Sequence, residues 1–154
     1  MNTRILADDY KIVQGKALCE TAMSGVTSYP ASGAFVDTRG FDLVHIVAHW
    51  GTIDASDTPA LELKCSDAIN GTLDQIDASL KFTANVTDDD GRYTTWTIET
   101  RKLPASHYFL ALATSGTLTN GSYVDVTFLL LGRSMPVTQA TTALPAANQF
   151  TWVG

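Results

Sequence analysis

Short segments of alternating apolar and polar residues fill the middle of this chain, and turn-forming residues separate them. The clearest runs from Asp42 to Trp50, where Val44, Ile46 and the indole at position 50 share one face of a strand. Its opposite face is also fairly apolar, which is typical of a central strand. Gly51 ends the segment. The pattern therefore predicts a central strand of a sheet.

Five further segments have strand-like patterns and turn residues between them. They are Leu61–Ser66, Leu80–Val86, Tyr93–Thr100, Tyr108–Thr114 and Ser122–Leu131. We expect the last two to pair antiparallel across the loop that joins them. Asp67–Ser79 has room for one helical turn, and Leu6–Met23 fits either a helix or an extended arm. Short strands at this spacing are typical of a β-sandwich or a small barrel.

The two ends of the chain differ from this middle. We predict one domain, with an N-terminal arm at 1–33, a β-sandwich core at 34–133 and a C-terminal arm at 134–154. The segment from Met135 to Gly154 has no charged side chain, yet it contains Phe150 and Trp152. An aromatic residue there is either an anchor on a neighbouring subunit or a lid on the chain's own sandwich, and the anchor is the favoured interpretation. The predicted interface residues are Ile5, Leu6, Tyr10, Met135, Pro136, Val137, Leu144, Phe150, Trp152 and Val153.

Composition excludes several classes of function. The formal net charge of −6 and the lack of a basic stripe argue against nucleic acid as a partner. No run approaches the roughly 20 apolar residues that span a bilayer, so no membrane partner is expected. The first residues lack the pattern of a secretory signal peptide, so synthesis in a cytoplasm is the expectation. Cys65, on the apolar face of a predicted strand, is interpreted as core filler.

No catalytic motif occurs, and no enzymatic activity or cofactor is predicted. The chain has three histidines. His45 and His49 are four residues apart on a strand, which places them about 13 Å apart on one face, too far to share a metal ion. No nucleophile elbow or zinc-protease signature is present. The histidines are therefore interpreted as members of a partly wet sheet face or a subunit contact.

Three consecutive acidic residues, Asp88, Asp89 and Asp90, precede Gly91. They resemble a fragment of a calcium loop, but such a loop needs alternating oxygen ligands and a bidentate glutamate at its end. A solvated turn is the favoured interpretation, and these three aspartates remain the weak candidates for a metal site.

Tryptophans allow one further hypothesis. Trp50 and Trp96 fall on strand faces and are interpreted as core. Exposed aromatic residues on a β-sandwich would instead suit a sugar-binding platform.

Four blocks carry a resemblance to a known family. They are the block Val36–Asp42 that leads into the strand through Gly51-Thr52, the block Leu61–Asp67, the block Leu103–Leu112, and the block Gly132–Val137. In order and spacing they resemble small virion proteins of tailed bacteriophages, of the kind encoded beside the major capsid protein. The resemblance covers about residues 34 to 137.

Several proteins of that family are head decoration, or cement, proteins built on a β-sandwich or jelly roll. The resemblance implies a trimer on the capsid surface that holds capsomers together, with the major capsid protein or another virion protein as partner. We therefore expect an all-β, antiparallel, jelly-roll-like sandwich with arms, acting as a non-enzymatic capsid decoration protein of the virion. The alternatives are a head–tail or tail-associated virion component and a carbohydrate-binding β-sandwich module.

Overall fold

The computed structural model describes residues 10–16, 22–118 and 121–132. These residues form ten strands, one turn of α-helix and two 3-10 turns. The strands are β1 (Tyr10–Lys16), β2 (Ser28–Tyr29), β3 (Val36–Asp37), β4 (Leu43–Trp50), β5 (Ala60–Ser66), β6 (Asp74–Gln75), β7 (Lys81–Thr83), β8 (Tyr93–Glu99), β9 (Phe109–Ser115) and β10 (Val124–Leu131). The helical turn α1 spans Val86–Asp89, and the 3-10 turns span Ala78–Leu80 and Thr100–Lys102.

Two antiparallel sheets make up the domain. The first sheet has the order β1-β10-β4-β8. The second has the order β2-β9-β5-β6, with β3 also on β9 and β7 also on β5. Every pairing between named strands is antiparallel. The predicted all-β, antiparallel fold class is confirmed.

The inner faces of the two sheets share one core. In β4, Val44, Ile46 and Trp50 are fully buried, as the alternation in the sequence predicts. Ile46 lies opposite Phe128 of β10 and opposite Trp96 of β8, so β4 is a central strand. The second sheet contributes Leu61, Leu63, Cys65, Leu110 and Leu112 to the same core. Each such aliphatic side chain stabilises the fold by roughly 1.5–3 kcal/mol through burial, which explains why the sheets stack face to face.

The expected pairing of the last two strands is wrong. β9 pairs with β2, β3 and β5, whereas β10 pairs with β1 and β4 in the other sheet. Their connection instead follows the loop after β4, where Thr58 N donates to Thr117 O and Tyr123 N donates to Thr52 O. Gly116 starts this crossing with a φ of +92°, and a Cβ there would lie 1.9 Å from the Thr58 carbonyl oxygen.

Other predicted boundaries need smaller corrections. The strand expected at Leu80–Val86 is limited to β7 because Asn85 caps α1, its side chain accepting from Thr87 N and Asp88 N. Of the two alternatives for Leu6–Met23, the backbone is extended over β1. The helical turn expected within Asp67–Ser79 lies slightly later, at the 3-10 turn Ala78–Leu80.

The predicted N-terminal arm also needs revision. β1 and β2 lie within residues 1–33 and pair with β10 and β9, respectively. Met23 and Tyr29 are buried in the shared core. These parts of the segment therefore belong to the sandwich, and residues 1–9, 17–21 and 133–154 lie outside the described part of the chain.

Candidate interaction surfaces

The outer face of the first sheet combines apolar and polar side chains. Along β4 and β10 it presents Leu43, Val47, Leu129 and Leu131, all half-buried. Register places Leu131 opposite Leu43 and Leu129 opposite His45, so the apolar side chains gather toward the end of the sheet where β10 finishes. This face is less polar than the solvated side of an antiparallel sheet usually is.

An aromatic pair occupies the other end of that face. The rings of His49 and Tyr93 stack with centroids 4.5 Å apart and an interplanar angle of 21°. Tyr93 is 67% exposed, and His49 Nδ1 lies 3.9 Å from Asp125 Oδ2. His45 has a different partner, with its Nδ1 2.8 Å from Thr97 Oγ1. The two histidines therefore lie on a partly exposed sheet face with separate partners, as the sequence predicts.

The edge of the first sheet at β8 is long and regular. All seven residues of β8 pair with β4 without a register shift. No strand pairs with the other side of β8 within the described ranges. Trp50 N donates to Arg92 O and Thr100 N donates to Asp42 O. These pairs, one at each end of the ladder, show which residues of β8 form hydrogen bonds with β4. Even-numbered residues of β8 thus bond β4, and the odd-numbered ones direct their main-chain groups to the open edge.

A groove opens at the end of the sandwich where β8 finishes. It has a volume of 430 Å³ and is lined by Thr38, Arg39, Gly40, Phe41, Thr100, Arg101 and Tyr108. Both guanidinium groups have carboxylate partners: Arg39 bonds Asp37, and Arg101 Nε lies 2.6 Å from Glu99 Oε2. The hydrogen bond from Arg101 lowers the pKa of Glu99, and the bond to Asp37 raises the pKa of Arg39.

The acidic turn before β8 is organised by hydrogen bonds of its own. Asp89 Oδ2 accepts from Asn85 N at 2.9 Å, while Asn85 Oδ1 accepts from Asp88 N. This reciprocal arrangement caps the helical turn. Asp88 and Asp90 are exposed. Within the described ranges, no group of three His, Cys, Asp or Glu side chains is arranged to hold a metal ion.

The third histidine links two loops. His107 Nε2 lies 3.1 Å from Asp74 Oδ2 of β6, and its Nδ1 lies 2.9 Å from Ala105 O. The bond to the Ala105 carbonyl, followed by the bond to Asp74, raises the pKa of His107. These contacts include no serine hydroxyl or cysteine thiol, and they form a clip between β6 and the loop before β9.

Two buried groups fit the same structural picture. Ser122 Oγ donates to Asp57 Oδ2 at 2.5 Å, and both residues are buried. Ser122 Oγ also accepts from Asp54 N at 3.2 Å, so it ties the loops after β4 and β9 together. Burial raises the pKa of the Cys65 thiol, which disfavours the reactive thiolate. Cys65 is fully buried and reduced, confirming its interpretation as core filler.

Both described tryptophans are core residues, as predicted. Trp50 is fully buried and donates through Nε1 to Thr94 Oγ1, and Trp96 donates through Nε1 to Leu80 O. Neither indole is available as a sugar-binding platform. The most exposed large aromatic residue among those described is instead Tyr93.

Most of the predicted interface residues lie outside the described part of the chain. They are Ile5, Leu6, Met135, Pro136, Val137, Leu144, Phe150, Trp152 and Val153. Tyr10 is the exception: its backbone begins β1 and pairs with Leu131. The segments that contain these residues therefore join the sandwich at one corner of the first sheet.

Sequence reasoning missed the open edge at β8. The available signal was the segment Tyr93–Glu99, which contains no proline, glycine or lysine. Those residues are among the devices that protect an edge strand from further pairing. The edge itself, however, depends on the strand order, which the alternation pattern does not encode.

The chain belongs to the class of antiparallel β proteins with two sheets. Comparison with known proteins adds no family to that description. No family model matches the chain, and no curated protein is significantly similar to it. In the described part of the chain, no helix is long and apolar enough to cross a membrane.

Proposed function

We propose that this protein is a non-enzymatic structural component of a phage virion, which decorates and stabilises the capsid through subunit contacts. The observation that carries the proposal is the corner of the first sheet where Tyr10 pairs with Leu131. Segments 1–9 and 133–154 both join the sandwich there. A sandwich with two further chain segments attached at one corner suits a subunit that contacts its neighbours through them.

The connectivity supports a jelly roll as the finer description of the fold. Taking β2 with β3 and β6 with β7 as single positions gives eight positions in two sheets of four. Their orders are 1-8-3-6 and 2-7-4-5, derived from the observed pairings. The chain crosses between sheets at every step except the one from β5 to β6. Jelly rolls of eight strands occur in viral capsid proteins and in lectins.

Charge and composition support a protein-binding role for the segment 133–154. Residues 135–154 contain no charged side chain but include Leu144, Phe150 and Trp152. Burying the two aromatic side chains removes about 300 Å² or more from water, worth several kcal/mol at ~25 cal/mol/Å². Ordering the backbone costs about 1–2 kcal/mol per residue, so main-chain hydrogen bonds must also contribute. Strand addition to a neighbour supplies such bonds.

The proposed partners are the major capsid protein and further copies of this chain, on the outer surface of the virion. The trimer implied by the family resemblance belongs to this proposal and concerns the protein on the capsid surface. The acidic net charge of −6 suits a surface that faces away from the packaged nucleic acid.

Capsid binding tests the proposal directly. The full chain should cosediment with capsids that lack it and raise their melting temperature. Removal of residues 135–154 should leave the sandwich folded and weaken binding strongly. The matched surface control is Ile69→Ala, because Ile69 is an exposed apolar side chain far along the sequence from either segment. Full binding by the truncated protein would refute the role of that segment, and binding to isolated tails alone would favour the tail-associated alternative.

A second candidate function has one observation in its favour. Tyr93 is exposed and stacks on His49, whose Nδ1 lies 3.9 Å from Asp125 Oδ2; an exposed aromatic ring beside polar groups is found where proteins hold sugar rings. A carbohydrate-binding module should bind members of a glycan array, and Tyr93→Ala should abolish that binding. No glycan binding by the full chain would leave the virion proposal as the better account.

A further inference from the structure

We propose that the open edge of β8 pairs antiparallel with β8 of a second copy of this chain, around a two-fold axis at Trp96. The two first sheets would then join into one continuous sheet. This contact concerns the free protein and does not depend on which capsid or virion surface the protein binds.

The open edge of β8 presents a row of main-chain groups. Because even-numbered residues of β8 bond β4, Tyr93, Thr95, Thr97 and Glu99 direct their N–H and C=O groups outward. No strand of the described residues meets them. Eight aligned backbone groups form a template that another strand fits.

β8 lacks the features that usually protect an edge strand from further pairing. Its seven residues run in unbroken register with β4 and contain no proline. The opposite edge, β1, has a register shift between Gln14 and Lys16. The edge pieces of the second sheet, β2, β3, β6 and β7, are only two or three residues long. Among the described strands, β8 is therefore the long uninterrupted edge.

In an antiparallel arrangement, β8 is complementary to a second copy of itself. In the two-fold register centred on Trp96, Thr95 lies opposite Thr97 of the second copy, and Tyr93 lies opposite Glu99. All outward main-chain groups then face partners, because odd-numbered residues pair only with odd-numbered ones. Opposed threonines are a favourable cross-strand pair, and no like charges face each other within the strand.

The segments that flank the two ends of β8 carry opposite charges. The acidic turn Asp88–Asp90 precedes β8, and Arg101 and Lys102 follow it. About the same two-fold axis, the turn that contains Asp90 in one copy faces the 3-10 turn that contains Lys102 in the other, and this contact occurs twice. Both side chains are exposed, with Lys102 at 67%. This charge complementarity selects a second copy as the occupant and antiparallel as the direction.

The contact uses the same surface on both subunits and is closed. By itself it produces pairs and not trimers. Among the described residues, the outer edge of β1 and the groove beside Arg39 take no part in this contact.

Solution mass as a function of concentration, measured by sedimentation or light scattering, tests the inference. The full chain should be a dimer at micromolar concentration. Thr95→Pro removes an outward N–H without removing a bond to β4, so it should raise the dimer dissociation constant about tenfold or more. Thr95→Ala, the matched control, retains the N–H and should remain dimeric. A monomeric full chain, or a dimer or trimer that Thr95→Pro leaves intact, would overturn the proposal.

Reciprocal charge changes test the register. Asp90→Lys alone and Lys102→Glu alone should each weaken self-association about tenfold at low salt, because like charges then face each other. A mixture of the two variants should form heterodimers with the affinity of the unaltered chain, since each contact again joins opposite charges. The differences should shrink at about 1 M salt, where the Debye length is about 3 Å. Equal self-association of both variants and their mixture would refute this register.

Discussion

The two sheets of this molecule end in different ways. The first ends at β8, a seven-residue strand in unbroken register with its neighbour. The second ends in pieces of two or three residues: β2 and β3 share one side of β9, and β6 and β7 share one side of β5. Short, interrupted edges resist strand addition, whereas a long regular edge invites it.

The difference shows that protection against edge pairing is unevenly distributed. In the second sheet, loops with Pro30, Gly71 and the 3-10 turn Ala78–Leu80 interrupt the outer strands. In the first sheet, β8 has one charged residue, Glu99 at its last position, and the neighbouring charges lie beyond its ends. Charge placed there does not block pairing but selects the direction and identity of the partner. The first sheet is therefore the sheet through which we expect self-association.

The largest expected effect concerns what the sheets have in common. Phe128 of the first sheet and Leu63 of the second are fully buried in one core. Phe128→Ala should lower the free energy of unfolding by about 3–5 kcal/mol and Leu63→Ala by about 2–5 kcal/mol. Each variant should unfold in one transition, measured by denaturant titration with tryptophan fluorescence and circular dichroism. Separate transitions for the two variants would mean that the sheets are independent units.

A proline pair sharpens the comparison at β8 itself. Thr94 N–H faces β4, whereas Thr95 N–H faces the open edge. Thr94→Pro should destabilise the monomer by about 3 kcal/mol, and Thr95→Pro should cost much less. Chemical denaturation at concentrations where the protein is monomeric measures both.

Thr94→Val serves as the control for the hydroxyl, because Thr94 Oγ1 also accepts from Trp50 Nε1. If Thr95→Pro were the more damaging of the two proline changes, the ladder would have the opposite phase and the proposed dimer register would be wrong.

The sequence predicts the inner faces of this fold well because alternation and burial have the same origin. In β4, every even-numbered residue from Val44 to Trp50 is buried, and each predicted core position there is confirmed. Local polar chemistry was harder to place. Asn85 ends β7 because its side chain caps a helical turn, a choice that the alternation of Leu80, Phe82 and Ala84 does not reveal.

Strand order was not predictable from alternation. The patterns of β9 and β10 fit a hairpin as well as they fit two sheets, and the outcome depends on contacts between distant loops. Thr58 N bonds Thr117 O, and Ser122 bonds Asp57, which directs the chain from one sheet to the other. The candidate surface at β8 follows from that order, so the pattern along the strand could indicate its exposed residues but not its open edge.

The smallest expected effect is a pH dependence that differs between the sheets. In the second sheet, Asp74 of β6 bonds His107, whose pKa is raised by the Ala105 carbonyl and by that carboxylate. A raised pKa means that the stabilisation is fully present below the unfolded value near 6.5 and is lost as pH rises through the folded value. Glu99, the last residue of β8, has a lowered pKa because Arg101 bonds it. The stabilisation from Glu99 is therefore present above the pKa of the unfolded state and is lost in acid.

Melting temperatures between about pH 2 and pH 9 should therefore decline slightly on both sides, for reasons located in different sheets. Asp74→Asn should flatten the alkaline side partly and His107→Gln more fully, while neither changes the acid side contributed by Glu99. Arg101→Gln should do the reverse. Asp74 and Arg101 are exposed, and Glu99 and His107 are only half-buried, so each change should be small. If His107→Gln left the decline between pH 6 and pH 8 intact, the clip between β6 and the loop before β9 would not be its source.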